Sequence, residues 1–158
     1  MDDQAAERRS MTDFDVSITA MTTDHVDDVL RLWEDTDGVI LMDTDNAEDL
    51  PHYFERNPNI SQVALASGVV VGAVLCGHDG RRGYLHHLAV APGYRGRGLG
   101  RDLVAACTQQ LADAGIKACN LFVENDNGNA RSFWRYHDWK LWQAIRVMSF
   151  RLSGRGDS

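Results

Sequence analysis

The run Val90-Ala-Pro-Gly-Tyr-Arg95-Gly96-Arg97-Gly98-Leu99-Gly100-Arg101 constrains this chain more than any other feature, because it joins a strand-patterned segment, GYLHHLAV, directly to a helix-patterned one. Three Arg and four Gly fall within the nine residues from Gly93 to Arg101. Glycines let the backbone turn tightly and expose successive N–H groups, and the N-terminus of the following helix adds partial positive charge. Such a turn holds an anion without side-chain bulk, and a pyrophosphate fits that description. Two other phosphate loops are excluded. The dinucleotide fingerprint GxGxxG needs its third Gly five residues after the first, whereas Gly96, Gly98 and Gly100 are spaced by two, and no GxxxxGK[ST] run is present.

The flanking sequence supplies strands and helices in turn. Val16–Ala20 alternates polar and apolar residues and predicts a first strand. Thr23 or Asp24 is expected to cap a helix whose apolar positions, Val26, Val29, Leu30 and Trp33, recur at helical spacing, with Gly38 as its end. A second helix is expected from Ala47 to about Arg56. SQVALASGVVVGAVLCGHD predicts two strands around a turn at Ser67 and Gly68, and GYLHHLAV a third after the turn DGRRG. The helix that leaves the Gly-rich loop runs to about Ala114, with Leu99, Leu103 and Ala106 facing inward and Gly115 as its stop. KACNLFV predicts another strand and Asn129 to His137 another helix; Lys140–Gln143 and Ile145–Arg151 are expected to close a final hairpin.

At 158 residues, 44% hydrophobic and 25% charged, the chain fits one domain, expected over residues 14–152. Residues 1–13 are expected to be a disordered leader, with Met11 as an alternative start, and residues 153–158 a flexible tail. A formal charge of −7 argues against nucleic acid as a partner, since phosphate contacts need clustered Lys and Arg. Cys76, Cys107 and Cys119 are odd in number and widely spaced, so neither a disulfide framework nor a metal site is expected. No signal sequence and no run of eighteen apolar residues is found, and a cytoplasmic protein without membrane contact is expected.

LAVAPGYRGRGLG resembles the acetyl-CoA signature of the GCN5-related N-acetyltransferases (GNAT), and the order of elements is similar to that fold from about Val16 to Leu152. LRLWEDTD, GHDGRR and HHLAVAP resemble a group of small bacterial members. The resemblance implies an α/β (α+β) domain: a single mixed, mostly antiparallel sheet of six to seven strands, flanked by about four helices and splayed at the acetyl-CoA site. It also implies acetyl-CoA as co-substrate. Leu88, Ala89 and Val90 would offer backbone groups to the pantetheine arm. Arg95, Gly96, Arg97, Gly98, Leu99 and Gly100 would wrap the pyrophosphate, with Arg101 near the same anion. Asn127 and Ala130 match a family Asn and Ala three residues apart that begin a helix beside the cofactor, and Phe133 would sit against the pantetheine or thioester end.

The implied reaction is attack of an amine on a thioester, which needs an oxyanion donor, a base and a tolerable leaving group. The family geometry implies that a backbone N–H of the signature strand, from Val90 or its neighbour, meets the oxyanion. Strand periodicity puts Tyr84, His86, Leu88 and Val90 on one side and Leu85, His87 and Ala89 on the other, unless a bulge intervenes. His86 is the expected base, because an imidazole near neutral pKa accepts the ammonium proton directly or through water; a purely structural hydrogen bond is the alternative. Tyr84 and His86 match two alternating positions of a His-rich strand that serve the proton pathway in one family member. The family's usual acid, the Tyr of Phe-Tyr-x-x-x-Gly-Phe, is replaced here by Trp134. Tyr136 is a substitute candidate, although it lies about 200° around the helix from Trp134. Alternatively the thiolate leaves unaided, since an alkyl thiol has a pKa of about 8.5.

Seven carboxylates and no Lys or Arg lie between Glu34 and Asp49. Asp35, Asp37, Asp43 and Asp45 form either a solvated surface loop or a wall that attracts a cationic amine, whether small molecule or peptide. Two rival functions share the loop: a non-catalytic acyl-CoA sensor, favoured by Trp134, and a transferase for another acyl group. The outer strands, Trp139 and Trp142 allow a homodimer.

Overall fold

The computed structural model describes residues 15–153; the expected leader and nearly all of the expected tail lie outside them. The elements are β1 (Val16–Ala20), a 3₁₀ turn (Thr23–His25), α1 (Val26–Glu34), α2 (Leu50–Arg56), β2 (Gln62–Ala66), β3 (Val69–His78), β4 (Gly83–Val90), a second 3₁₀ turn (Pro92–Tyr94), α3 (Leu99–Asp113), β5 (Cys119–Leu121) and α4 (Gly128–Tyr136). One mixed sheet runs in the order β1-β2-β3-β4-β5. Its pairs are antiparallel except β4 with β5, which is parallel.

Each face of the sheet carries its own core. On one side α3 lays Leu103, Cys107 and Leu111 over Ala64, Val74, Cys76 and Leu85. On the other, Val26, Val29 and Trp33 of α1 and Leu50 of α2 cover Val63, Ala73, Leu75 and Ala89. The sheet is apolar on both sides, which explains why β3 is buried almost throughout its length. The inner face of α3 runs Leu99, Leu103, Cys107 and Leu111, with Cys107 rather than Ala106 completing the stripe. At the start of the first helical segment the extended residue is Thr22 rather than Thr23 or Asp24, and its N–H donates to Nδ1 of His25 at 3.0 Å.

Among the described residues the sheet has five strands where six to seven were expected, because the final hairpin does not form. Residues 140–152 lie outside every strand. Val147 and Met148 are consecutive and both exposed, so the alternation there selects no single apolar face and specifies register weakly. Side chains tie the segment down instead: the Arg82 guanidinium lies 5.4 Å from the Trp142 ring centroid, and Arg151 pairs with Asp43. No helix among the described residues is long and apolar enough to cross a membrane.

The packing of α2 on β3 depends on Gly77. A Cβ there would fall 2.7 Å from the buried Asn57 amide and closer still to the Tyr53 hydroxyl. Asn57 cannot give way freely, because its Oδ1 accepts the His78 N–H at 2.9 Å. Gly77→Ala is therefore expected to destabilise the fold by about 1–3 kcal/mol, read as a lowered urea midpoint with unchanged slope.

Candidate functional site

β5 pairs with only the first part of β4: Gly83 with Cys119, Tyr84 with Asn120 and Leu85 with Leu121. β5 ends at Leu121, and among the described residues no strand pairs with the second half of β4 on that side, which is left as a free edge beside a gap. The Ala91 N–H donates to the Val71 carbonyl at 2.8 Å, which sets the phase of the β3–β4 ladder. By alternation the polar groups of Ala89 point to β3, whereas those of Leu88 and Val90 point into the gap. Of the three residues expected to offer backbone groups there, Ala89 is thus the exception. The Val90 carbonyl already accepts Nε of Arg95 at 2.8 Å.

The gap runs up to the Gly-rich loop. Gly96 and Gly98 adopt φ of 77° and 79°, a region that favours glycine, and Gly98 is the N-cap of α3. Asp102 N–H closes onto the Gly98 carbonyl at 3.0 Å, so the N–H groups of Leu99, Gly100 and Arg101 precede the first bond of the helix ladder. The Leu99 side chain is in the core, and only its backbone is available to an anion. Arg95, Arg97 and Arg101 are exposed; Arg97 lies over Tyr94 at 5.7 Å, and Arg101 Nε lies 3.3 Å from Asp102. A Cβ on Gly100 would stand 3.7 Å from both the Leu88 side chain and the Phe133 ring, and 3.9 Å from Val90. Phe133 therefore faces the mouth of the gap from α4. Asn127 caps α4 by accepting the Ala130 N–H at 3.0 Å, which is the contact its spacing from Ala130 implies. This arrangement of helix N-terminal N–H groups, three Arg, a Gly-rich turn and an open strand edge suits an elongated ligand ending in a pyrophosphate.

The histidines depart from simple strand alternation. Between Ala73/Ala89 and Leu75/His86 the register shifts by one residue, a bulge at which His87 takes φ of 58°. That conformation costs a non-glycine residue about 1–3 kcal/mol. Leu85, Leu88 and Val90 consequently face α3 together, and the expected grouping of Tyr84, His86, Leu88 and Val90 on one side is broken. His86 and His87 come to the same face, ring centroids 5.9 Å apart. His86 also touches Phe122 at 5.9 Å, and Tyr84 stacks on the same Phe122 at 6.4 Å. Burial first, then the neighbouring His87 charge, hold the His86 ring below the ordinary histidine range, with Asp45 acting the other way.

Tyr136 is 84% exposed and packs against His137, so it does not line the gap. Trp134 stacks edge-on with Phe133 and Trp139 and offers no acid. The acidic stretch divides. Asp35 and Asp37 are exposed, Asp43 pairs with Arg151, and Asp45 is buried against His87, Nε2 to Oδ2 2.7 Å. Burial works to raise the Asp45 pKa, but the hydrogen bonds from His87 and the Met42 N–H and the histidine charges outweigh it and hold it below the ordinary carboxylate value. The sequence pattern put His87 on the face opposite His86 and grouped Asp45 with Asp35, Asp37 and Asp43 as a solvated loop or an amine-attracting wall. No sequence signal marks their pairing, and the buried Trp33 ring meets His87 edge-on at 5.1 Å.

Residues 26–139 match the acetyltransferase (GNAT) family. An acetyltransferase of Sodalis glossinidius (strain morsitans) is 29% identical over 137 residues, covering 87% of this chain and 96% of that one. Among solved structures, an aminoglycoside acetyltransferase from an uncultured soil metagenomic sample, in complex with sisomicin, has a TM-score of 0.69 at 18% identity and covers 89% of this chain and 99% of its own. The PaiA N-acetyltransferase of Thermoplasma acidophilum, in complex with coenzyme A, has a TM-score of 0.69 at 17% identity, covering 82% and 92%.

Proposed function

Because the chain belongs to the acetyltransferase (GNAT) family, we propose that this acyltransferase moves an acetyl group from acetyl-CoA to a primary amine of a small molecule or peptide, in a ternary complex. The observation that carries the proposal is the free edge of β4 running into the unpaired N–H groups of Leu99, Gly100 and Arg101. The pantetheine arm would lie along Leu88 and Val90, and the pyrophosphate would sit on Gly96–Arg101. Asn127, Ala130 and Phe133 would close the α4 side.

The thioester supplies an electrophilic carbonyl and a thiolate leaving group. His86 takes the ammonium proton, directly or through water shared with Tyr84, and passes it to solvent. The Val90 N–H, directed into the gap, donates to the carbonyl oxygen as charge builds there. A C–N bond forms and the C–S bond breaks; the newly acylated nitrogen gives up its second proton to water and the thiolate takes one from water, since neither Trp134 nor the exposed Tyr136 is placed to give one. An amine acceptor is in keeping with the solved relative that carries sisomicin.

Trp134 in place of the family's Tyr supports one second reading, a non-catalytic acyl-CoA sensor. Coenzyme A release separates the two, measured with acetyl-CoA and a panel of amino acids, polyamines, aminoglycosides and N-terminal peptides. One acceptor is expected to raise release well above the no-acceptor rate. Silence across the panel with acetyl-CoA still bound supports the sensor or another acyl donor, and silence without binding removes both readings.

A further inference from the structure

His87 has a place in the molecule that its neighbour's proposed role does not explain. A bulge is needed to bring two consecutive residues of β4 to one face, and here it puts His87 into a left-handed conformation. The ring is then held on three sides. Trp33, fully buried, meets it edge-on; Asp45 lies 2.7 Å from Nε2; His86 lies beside it. The two partners of this contact are 11% and 6% exposed, so it is shielded from water and salt. Asp45 is fixed in turn by the Met42 N–H, at 2.7 Å from its Oδ2.

Building on the assignment of His86 as base, we propose that Asp45 and His87 are a positioning pair for His86, the Asp45 carboxylate anchoring the His87 ring and that ring setting the orientation and electrostatic surroundings of His86. The arrangement follows the logic of a base oriented by a second group and a carboxylate behind it, with ring-to-ring contact in the place of one hydrogen bond. Two titratable groups bear on His86: His87 from its own strand and Asp45 from the connection between α1 and α2. Phe122, after β5, covers it with an uncharged ring, across which Tyr84 lies. The pair therefore acts on the base through space.

Replacing His87 by an uncharged amide removes the repulsion that a protonated His87 exerts on protonated His86 and leaves the attraction of the Asp45 carboxylate unopposed. Both changes favour the protonated ring, so His86 would lose its accepting form at a higher pH. The test is proton NMR titration of His86 in the full chain as wild type, His87→Gln and His87→Asn, alongside the pH profile of kcat/KM. Asn tolerates positive φ and guards against a misfolded Gln variant. The expected result is an upward shift of the His86 midpoint in whichever variants fold, with the acid limb of kcat/KM moving with it. An unmoved midpoint, with kcat/KM reduced by one factor at every pH, would make His87 a merely structural residue and overturn the proposal. A midpoint that moves while the limb stays put would uphold the coupling and remove His86 as the base.

Discussion

Replacing Gly100 with leucine is expected to weaken acetyl-CoA binding about a hundredfold, about 2.8 kcal/mol, while the fold stays at least as stable. Gly100 is the second residue of α3 and has no positive φ, so a side chain there meets no backbone objection. Leucine is the better helix former by roughly 0.5–1 kcal/mol. Its Cβ finds ordinary contact distances, but the isobutyl group must extend between Leu88, Val90 and Phe133, the space assigned to the cofactor. The more obvious substitution, Gly98→Leu, is a poorer probe. Gly98 has φ of 79° and a Cβ would lie 2.8 Å from the Arg101 guanidinium, so lost binding would be mixed with about 1–2 kcal/mol of backbone strain. Calorimetry with acetyl-CoA and a thermal melt of the Gly100 variant separate the two effects; unchanged affinity would move the cofactor away from this loop.

His86→Ala is expected to lower turnover at pH 7 by about 10²–10⁴-fold, the usual contribution of a general base, and by less at pH 9. An acceptor α-amine with a pKa of about 8 is about one-tenth neutral at pH 7 and about nine-tenths neutral at pH 9, so the base becomes dispensable as the medium does its work. In the wild type, burial and the His87 charge keep the ring in its accepting form below the ordinary histidine range. Activity is therefore expected to fall with acid only below that range. An equal loss at both pH values would make His86 a structural residue of the strand.

What was legible in the sequence was local. Ser67 and Gly68, with φ of 49° and 81°, turn the β2–β3 hairpin where the pattern put it, and Gly115, at φ 83°, stops α3. The Gly-rich run adopts the strand–turn–helix setting that gives it meaning, and Asn127 caps α4 through the predicted spacing. What was illegible depended on pairing between distant segments. The bulge at His87 is a property of the ladder between β3 and β4, so a period of two drawn along β4 alone misplaced Leu88 relative to His86. Asp45 and His87 are 42 positions apart, and nothing in an acidic stretch marks the one carboxylate that turns inward. Residues 140–152 carry strand-like composition, but apolar side chains on both faces leave the segment to be held by Arg82 and Asp43 instead of a sheet edge.

The most direct test of the site is an amide chemical-shift map of the ¹⁵N-labelled chain titrated with acetyl-CoA. The largest changes are expected at Leu88, Val90, the loop from Gly96 to Arg101, and Asn127 and Ala130 at the head of α4, with little change along β1 and β2. Saturable changes centred elsewhere, or no change at millimolar acetyl-CoA, would contradict the proposed site.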